Sequence, residues 1–339
     1  MKKKIALITG ISGQDGAYLA KLLLEKNYKV IGSDRRSSRD DRWRLRYLGI
    51  DRKVIIEDLE LSETTQIIRL LNKYKFNEIY NLAAQSFVAS SFHNPVLTAD
   101  ITGTAVLKFL EAIRNLKYRP KFYQASSSEM FGDVLENPQT EKTPLNPQSP
   151  YAIAKTFAHY MVKNYRDSYG LFAVSGICFN HESPLRGEEF VTRKITMNLA
   201  KINNGLIDNF ELGNLEAKRD WGFAGDFVEA MWKSLQYKKA DDYVFATGKT
   251  YKIIDFINEA RKYLDFSTKW EGKGLNLKLY NTKNKKIILK INKKFFRPAE
   301  VNFLLGNAFK AKKVLNWKPK IDLKKLVKMM MLSDLKKYK

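Results

Sequence analysis

Two side chains four residues apart have the types needed for acid–base chemistry. Tyr151 and Lys155 form the pattern Tyr-x-x-x-Lys in a segment with helical spacing, so both should lie on one face of a helix. A lysine ammonium near a phenol favours the phenolate, which can take a proton from a hydroxyl while hydride leaves the same carbon. We therefore predict that Tyr151 and Lys155 are catalytic and that both touch the nicotinamide end of a bound dinucleotide.

A run of polar residues follows the apolar segment 121–126. The run includes Ser127 and Glu129, and ligands of parallel sheets bind beyond the carboxyl ends of the strands. A serine hydroxyl there can hydrogen-bond a reacting oxygen. Redox chemistry at one carbon needs one base, whereas removing the proton next to a new carbonyl needs a second. Glu129 can be that second base, which favours elimination over simple epimerisation.

Three glycines lie between a predicted strand and a predicted helix near the N-terminus. Gly10, Gly13 and Gly16 have the spacing Gly-x-x-Gly-x-x-Gly, which permits a tight turn and a close approach of the backbone to a pyrophosphate at the helix N-terminus. The residues predicted to bind a dinucleotide in this turn are Gly10, Ser12, Gly13, Gln14, Asp15 and Gly16.

The end of the second predicted strand carries two opposing signals. Asp34 suits the free ribose hydroxyls of NAD, whereas Arg35 and Arg36 suit the extra phosphate of NADP. The local chemistry therefore leaves both cofactors open. The further cofactor contacts predicted here and at the next two strand ends are Ser37, Asp58, Leu59, Leu82, Ala83, Ala84 and Ser86.

Apolar runs that suit strands alternate with helical patterns up to about residue 180. Such alternation predicts an α/β fold, a Rossmann-type doubly wound parallel sheet covered by helices on both faces. After that residue the alternation of strand and helix patterns stops, which indicates a smaller, interleaved C-terminal substrate-binding domain. We assign residues 1–180 and about 216–250 to the dinucleotide-binding domain, and about 181–215 and 251–339 to the second domain.

The composition of the 339 residues limits the classes of protein that fit. One cysteine, Cys178, excludes an internal disulfide, which fits a reducing compartment. The N-terminal apolar run is short and meets a glycine, so we interpret it as a strand and not as a signal peptide. No segment reaches the roughly 18 apolar residues of a membrane span. We expect a soluble, cytoplasmic protein without a membrane partner or a metal site.

The chain carries a formal net charge of +24. A lysine-rich surface without a specific role is one explanation, and attraction of a polyanionic ligand is another. Nucleic-acid binding is the third, but the lysines are spread along the chain and no nucleic-acid module is recognisable. We therefore expect no nucleic-acid partner.

The chain resembles the GDP-mannose 4,6-dehydratases, within the extended short-chain dehydrogenase/reductase class, along nearly its whole length. The matching segments are ITGISGQDGAYLA, RRSS, YNLAAQSFV, YQASSSEMFG, SPYAIAK, NYRDSYG, FNHESPLRGEEFVTRKIT, GNLEAKRDWG and FFRPAEV. The segments after SPYAIAK are more specific to this family than the motifs of the fold.

The resemblance implies a lyase reaction on GDP-mannose that is redox-neutral overall. Hydride leaves C4, water leaves across C5–C6, and the same hydride returns to C6. Tyr151 would be the base at C4, Ser127 and Lys155 its polar supports, and Glu129 the base at C5. NADP is favoured over NAD because Arg35 and Arg36 match the residues that hold its phosphate, although Asp34 keeps NAD possible.

The resemblance also implies further contacts and an assembly. His181 and Arg186 match cofactor contacts, and a homodimer or homotetramer is expected. The residues that match contacts to the GDP-sugar are Ser86, Glu129, Asn180, Arg193, Lys194, Arg219, Arg297 and Glu300.

Three other functions remain open from the sequence. The same dehydration could act on another GDP-sugar, such as GDP-manno-heptose, because the motifs do not distinguish six from seven carbons. An epimerase or reductase could share the fold, and Glu129 is the residue that argues against it. A non-enzymatic scaffold could bind RNA through the basic surface, with an affinity that falls as salt rises.

Overall fold

The computed structural model describes residues 3–38, 40–296, 301 and 303–339. Its centre is a parallel sheet of seven strands. These strands are β1 Ile5–Thr9, β2 Lys29–Asp34, β3 Ile55–Asp58, β4 Glu78–Asn81, β5 Lys121–Ser127, β6 Ala173–Cys178 and β11 Asp242–Phe245. The doubly wound parallel sheet predicted from the sequence is confirmed.

The remaining strands belong to smaller sheets. They are β7 Asn180–Glu182, β8 Phe210–Leu212, β9 Lys218–Arg219, β10 Trp221–Phe223, β12 Tyr251–Lys252, β13 Thr268–Glu271, β14 Lys278–Asn281 and β15 Ile287–Ile291. Strand β10 pairs with β7, β12 pairs with β9, and the last three strands join β8 in the order β13-β14-β15-β8.

The α-helices connect these strands. They are α1 Gln14–Glu25, α2 Trp43–Tyr47, α3 Thr64–Lys73, α4 Val88–His93, α5 Pro95–Thr98, α6 Ala105–Arg114, α7 Pro150–Tyr169, α8 Val191–Asn203, α9 Ala224–Gln236, α10 Ile253–Ala260, α11 Phe309–Leu315 and α12 Leu323–Lys337. A π-helical turn, Ala99–Thr104, precedes α6. The segment 99–116, whose spacing predicts one helix, therefore begins with a turn of larger radius than an α-helical turn.

Apolar side chains alternate between the two faces of the sheet because successive residues of a strand point in opposite directions. Ala6 and Ile8 of β1 join the core that lies against helices α1 and α9. Leu7 joins the core that lies against α3, α6 and α7. Helices thus bury both faces, which explains the nearly unbroken apolar runs of the strands.

A separate hydrophobic core lies among α8, α10, α12 and the four-stranded sheet. Trp221 packs in this core against Phe256, with ring centres 5.4 Å apart. Phe227 of α9 instead packs in the core of the main sheet. Trp221 and Phe227, on either side of the start of α9 at Ala224, thus join different cores.

The strand order β11-β6-β5-β4-β1-β2-β3 places a topological switch between β1 and β4. The chain runs from β1 outward to β3 and then crosses to β4 on the other side of β1. A crevice forms at such a switch, at the carboxyl ends of the strands, and ligands of open α/β sheets bind there. In the part of the chain that is described, no helix has both the length and the apolar character to span a bilayer.

Candidate active site

The turn between β1 and α1 is as tight as the glycine spacing predicts. Gly10 has a φ of +68°, and the Gly13 amide donates to the Gly10 carbonyl at 3.0 Å. A Cβ on Gly16 would lie 2.4 Å from the Gly10 carbonyl oxygen and 2.6 Å from the Cα of Ile11. Because both of those atoms belong to the backbone, they cannot move aside, so the turn requires glycine at position 16.

A cavity of about 420 Å³, here called the cofactor cavity, opens at this turn. It is lined by Thr9, Gly10, Ser12, Gly13, Gln14, Asp15, Gly16, Ser33, Asp34, Arg35, Leu59, Glu60, Leu61, Leu82, Ala83, Ala84, Gln85, Ser86, Leu97, Ile101 and Arg186. Most of the predicted cofactor contacts are thus gathered on one cavity. Six predicted contacts are outside this lining: Arg36, Ser37, Asp58, Tyr151, Lys155 and His181.

Two residues that the sequence reasoning missed have polar atoms suited to a ligand. The Gln85 Oε1 and Ser33 Oγ atoms are buried and have no hydrogen-bond partner within the described structure, and both residues line the cofactor cavity. Gln85 lies inside the motif at the end of β4, so its position was the available signal. Ser33 lies inside β2 and carried no comparable signal.

Asp34 accepts a hydrogen bond from the glycine turn. The Ser12 backbone amide donates to Asp34 Oδ2 at 3.2 Å. Burial raises the pKa of the Asp34 carboxyl to about 6, and the hydrogen bonds from Ser12 only partly offset this. With a pKa of about 6, the Asp34 carboxyl is still mostly ionised at pH 7, and the neighbouring Arg35 lines the same cavity.

A second cavity of about 150 Å³, here called the catalytic cavity, continues from the first. It is lined by Asp15, Leu82, Ala84, Ser86, Val88, Ala125, Ser126, Ser127, Ser128, Glu129, Tyr151, Lys155, Cys178, Phe179, Asn180, His181, Arg186 and Phe190. Asp15, Leu82, Ala84, Ser86 and Arg186 line both cavities. The four predicted catalytic residues are thus next to the predicted dinucleotide site.

Helix α7 presents Tyr151 and Lys155 to this cavity. Ser149 caps the helix, since its side chain accepts from the Ala152 amide at 3.1 Å, and Pro150 occupies the first turn, where its missing N–H costs nothing. The Lys155 ammonium donates to the Ala125 carbonyl at 2.7 Å and lies 5.8 Å from the centre of the Tyr151 ring. The pair therefore sits on one helix face, held against the end of β5.

Burial shifts the acid–base groups of the catalytic cavity. It raises the pKa of the Tyr151 phenol above its usual value, an effect that the Ser127 hydrogen bond opposes and the Glu129 charge reinforces. It lowers the pKa of Lys155 to about 8, with Cys178 and Asp15 opposing the change. Each shift disfavours the charged form. The protein alone therefore keeps the phenol protonated, and a positive charge nearby is needed to favour the phenolate.

The turn after β5 orients Ser127 and Glu129. Ser127 accepts a hydrogen bond from the Glu129 amide at 3.2 Å and so caps the short 3-10 helix Ser128–Phe131. Met130 and Phe131 are buried in a further hydrophobic core, separate from the three described above. Their packing holds the turn in place. Glu129, which is half-buried, lines the same cavity as the Tyr151 phenol.

His181 and Asp15 connect helix α1 to the loop after β6. His181 Nδ1 donates to the Phe179 carbonyl at 2.7 Å, and Nε2 lies 2.7 Å from Asp15 Oδ2. Burial lowers the pKa of His181, but the Asp15 carboxylate more than offsets this and leaves it raised; the pKa of Asp15 is correspondingly lowered. The contact thus ties the N-terminus of α1 to β7 beside the catalytic cavity.

The predicted substrate contacts fall into three groups. Ser86, Glu129 and Asn180 line the catalytic cavity, and the buried Asn180 Oδ1 atom has no hydrogen-bond partner in the described structure. Arg297 and Glu300 lie outside the described residues. The remaining three predicted contacts, Arg193, Lys194 and Arg219, line neither cavity.

The three basic residues outside the cavities have other surroundings. Arg193 is 2% exposed and its Nη2 lies 2.6 Å from Asp334. The Lys194 ammonium lies 4.0 Å from the centre of the Phe295 ring. Arg219 donates to the Lys218 carbonyl at 3.0 Å.

Cys178 and Phe190 also line the catalytic cavity, although nothing in their spacing predicted it. Burial raises the pKa of the Cys178 thiol to about 12, which makes it a poor nucleophile. Across the described residues, no three His, Cys, Asp or Glu side chains cluster as a metal site would require.

Comparison with known proteins identifies relatives along the whole chain. A family model described as GDP-mannose 4,6 dehydratase matches residues 7–330. The GDP-mannose 4,6 dehydratase 1 of Arabidopsis thaliana is 48% identical over 98% of this chain and 90% of its own. The GDP-mannose 4,6-dehydratase of Vibrio cholerae is 45% identical over 99% of this chain and 95% of its own.

Solved structures share the fold at lower identity. A UDP-glucose 4-epimerase from Thermotoga maritima, solved with UDP-glucose, has a TM-score of 0.81 and 22% identity and covers 99% of this chain and 100% of its own. A dTDP-glucose 4,6-dehydratase from Bacillus anthracis, solved with NAD, has a TM-score of 0.78 and 18% identity and covers 97% and 96%. At such identities the likeness establishes the fold alone.

Proposed function

Because the chain belongs to the GDP-mannose 4,6-dehydratase family, we propose that it is a hydro-lyase that converts GDP-mannose to GDP-4-keto-6-deoxy-mannose. One observation carries the proposal: Ser127, Glu129, Tyr151 and Lys155 line a single cavity that continues into the cavity of the glycine turn. A base for C4 and a base for C5 thus face the same small space.

The cofactor cavity fits a nicotinamide dinucleotide. The glycine turn leaves no room for a Cβ at Gly16, the N-terminus of α1 faces the cavity, and the Gln85 Oε1 and Ser33 Oγ atoms lack partners there. A bound nicotinamide supplies the hydride acceptor and donor of the cycle and, when oxidised, a positive charge. That charge is what the buried Tyr151 phenol needs for deprotonation.

The protein's own groups divide the proton transfers. Tyr151 takes the C4 hydroxyl proton, while Lys155, anchored on the Ala125 carbonyl, helps to keep the phenolate charged. Ser127 hydrogen-bonds the oxygen at C4. Glu129 takes the proton at C5, which the adjacent ketone makes acidic, and gives it to the hydroxyl at C6, which leaves as water. When hydride returns to C6, C5 takes up a proton, and the proton that Tyr151 removed from the C4 hydroxyl balances it.

Other features of the proposal rest on the family. NADP is the proposed cofactor, supported by Arg35 in the cofactor cavity. Arg297 and Glu300 are proposed to bind the GDP moiety. We further propose a cytoplasmic homodimer or homotetramer. Within each subunit the lobe built on α8, α10 and α12 binds the nucleotide-sugar.

Isotope transfer tests the reaction directly. Purified protein is incubated with GDP-mannose deuterated at C4, and the product is analysed by mass spectrometry and NMR. We expect the loss of one water with deuterium recovered at C6. Recovery of a C4 epimer without water loss would refute the proposal. Dehydration of GDP-manno-heptose in preference to GDP-mannose would reassign the substrate.

A variant of the second base separates elimination from oxidation. Glu129→Gln should abolish water loss while reduced nicotinamide still forms on mixing with GDP-mannose, because C4 oxidation does not need this carboxylate. Glu271→Gln, at an exposed glutamate of β13, is the matched control and should behave as wild type. Normal dehydration by Glu129→Gln would contradict its role. Identification of the nucleotide released on denaturation distinguishes NADP from NAD.

A further inference from the structure

A chain of buried hydrogen bonds crosses the central sheet beneath the active site. The backbone amides of Leu82 and Ala83, in the wall of the cofactor cavity, both donate to Thr9 Oγ1 at 3.1 Å. Thr9 Oγ1 donates to Asn81 Oδ1 at 2.7 Å. Asn81 Nδ2 donates to Gln124 Oε1 at 2.8 Å.

The chain ends at the anchor of the catalytic lysine. Gln124 Nε2 donates to the Ala125 carbonyl at 3.2 Å, and the Lys155 ammonium donates to the same carbonyl at 2.7 Å. Thr9, Asn81, Gln124 and Lys155 are all at most 3% exposed. Water therefore cannot replace a missing link without a rearrangement of the sheet interior.

Up to the Ala125 carbonyl, every donor in this chain points the same way. Thr9, Asn81 and Gln124 each accept from the side of the cofactor wall and donate towards that carbonyl, so the dipoles of the two side-chain amides add, and hydrogen bonds arranged in this way polarise one another. The end nearest Lys155 is the N–H end of Gln124, which carries partial positive charge.

We propose that Gln124 is a positioning residue for the dehydration: it fixes the Ala125 carbonyl that anchors Lys155 and couples that anchor, through Asn81 and Thr9, to the wall of the cofactor cavity. The inference rests on the proposed function. It adds to the catalytic set a residue that touches neither cavity but acts through Lys155.

The positive end of the chain also acts on protonation. The Gln124 N–H and the Lys155 ammonium share the Ala125 carbonyl, so partial positive charge there disfavours the ammonium. The titratable groups near Lys155 include Asp15 and Cys178 and Tyr151 on the same helix face, and all three remain when Gln124 is changed. Removal of the Gln124 donor should therefore raise the pH at which Lys155 loses its proton.

The test compares two buried glutamines of the protein, one inside the hydrogen-bond chain and one outside it. Gln124→Met keeps the length of the side chain and removes its polar atoms. Gln139→Met makes the same change at a glutamine that is 0% exposed, bonds Leu305 and Glu136 and lines neither cavity. We expect Gln124→Met to lower kcat roughly tenfold through misplacement of Lys155, with KM for GDP-mannose nearly unchanged and the alkaline limb of the kcat–pH profile moved to higher pH.

Gln139→Met should lower thermal stability but leave the pH profile in place. Asn81→Leu, which removes the donor to Gln124, should move the alkaline limb in the same direction and serves if Gln124→Met does not fold. An alkaline limb that stays at its wild-type pH in the variants of this hydrogen-bond chain would overturn the proposal. A wild-type enzyme that fails to dehydrate GDP-mannose would instead refute the proposed function.

Discussion

The buried ion pair of Arg193 and Asp334 offers a test of whether Arg193 stabilises the fold or binds substrate. Arg193 is 2% exposed, Asp334 is 0% exposed, and Nη2 lies 2.6 Å from Oδ1. Arg193 also donates to the Pro184 carbonyl, and Thr196 donates to Asp334 at 2.7 Å. The pair therefore joins helices α8 and α12 to the loop that carries Arg186.

Arg193→Met removes the cation and leaves the Asp334 carboxylate buried and without its charge partner. Breaking a buried pair in this way costs about 3–5 kcal/mol. The matched control, Lys337→Met, breaks an exposed pair on the same helix: Lys337 and Glu188 lie 3.0 Å apart, with side chains 48% and 52% exposed. Such a pair contributes about 0–1 kcal/mol.

Urea denaturation at neutral pH, followed by circular dichroism, measures both losses in the free energy of unfolding. The double variant Arg193→Met/Asp334→Leu should recover much of the loss, since no unpaired charge remains. Burial already raises the pKa of Asp334, and loss of Arg193 raises it further in the folded state. The deficit of Arg193→Met should therefore shrink as the pH falls through that pKa and the carboxylate is neutralised.

The reasoning is refuted if Arg193→Met loses no more stability than Lys337→Met. A stable Arg193→Met variant with a greatly raised KM for GDP-mannose would instead restore the assignment of Arg193 to the substrate. The structure predicts the opposite division, a large loss of stability and a smaller change in KM.

Four further predictions concern the two cavities. Gly16→Ala should abolish retention of the nucleotide because its Cβ would meet backbone at 2.4 Å; a variant that copurifies with full nucleotide would contradict this. Tyr151→Phe should lower kcat about 10²–10⁴-fold while calorimetry shows unchanged GDP-mannose binding. Because burial lowers the pKa of Lys155 to about 8, its ammonium is lost above that pH and kcat should fall there; a profile flat far above it would exclude this role. Arg35→Ala should weaken NADP binding about tenfold or more relative to NAD, whereas Asp34→Asn should favour NADP, both measured by titration of the apo form.

Local spacing in the sequence was enough to predict the glycine turn, the helix face shared by the tyrosine and the lysine, and the parallel sheet. Three glycines at intervals of three residues, next to a strand, predict a turn from local sequence alone, without information from distant residues. A tyrosine and a lysine four residues apart share a helix face because an α-helix has 3.6 residues per turn. Alternating strand and helix patterns likewise predicted the parallel sheet, since burial on both faces requires apolar runs.

Contacts between distant residues were decided only by the tertiary structure. Asp334 follows Arg193 by 141 positions, so no local pattern could show that this arginine, chosen for the substrate from its family motif, has a buried partner. Trp221 and Phe227 are six positions apart and join different cores, which no local pattern distinguishes. Gln124 reaches Thr9 through Asn81 only because β4 lies between β1 and β5 in the sheet. Periodicity fixes which side chains share a face of one element, whereas strand order and packing fix which faces meet.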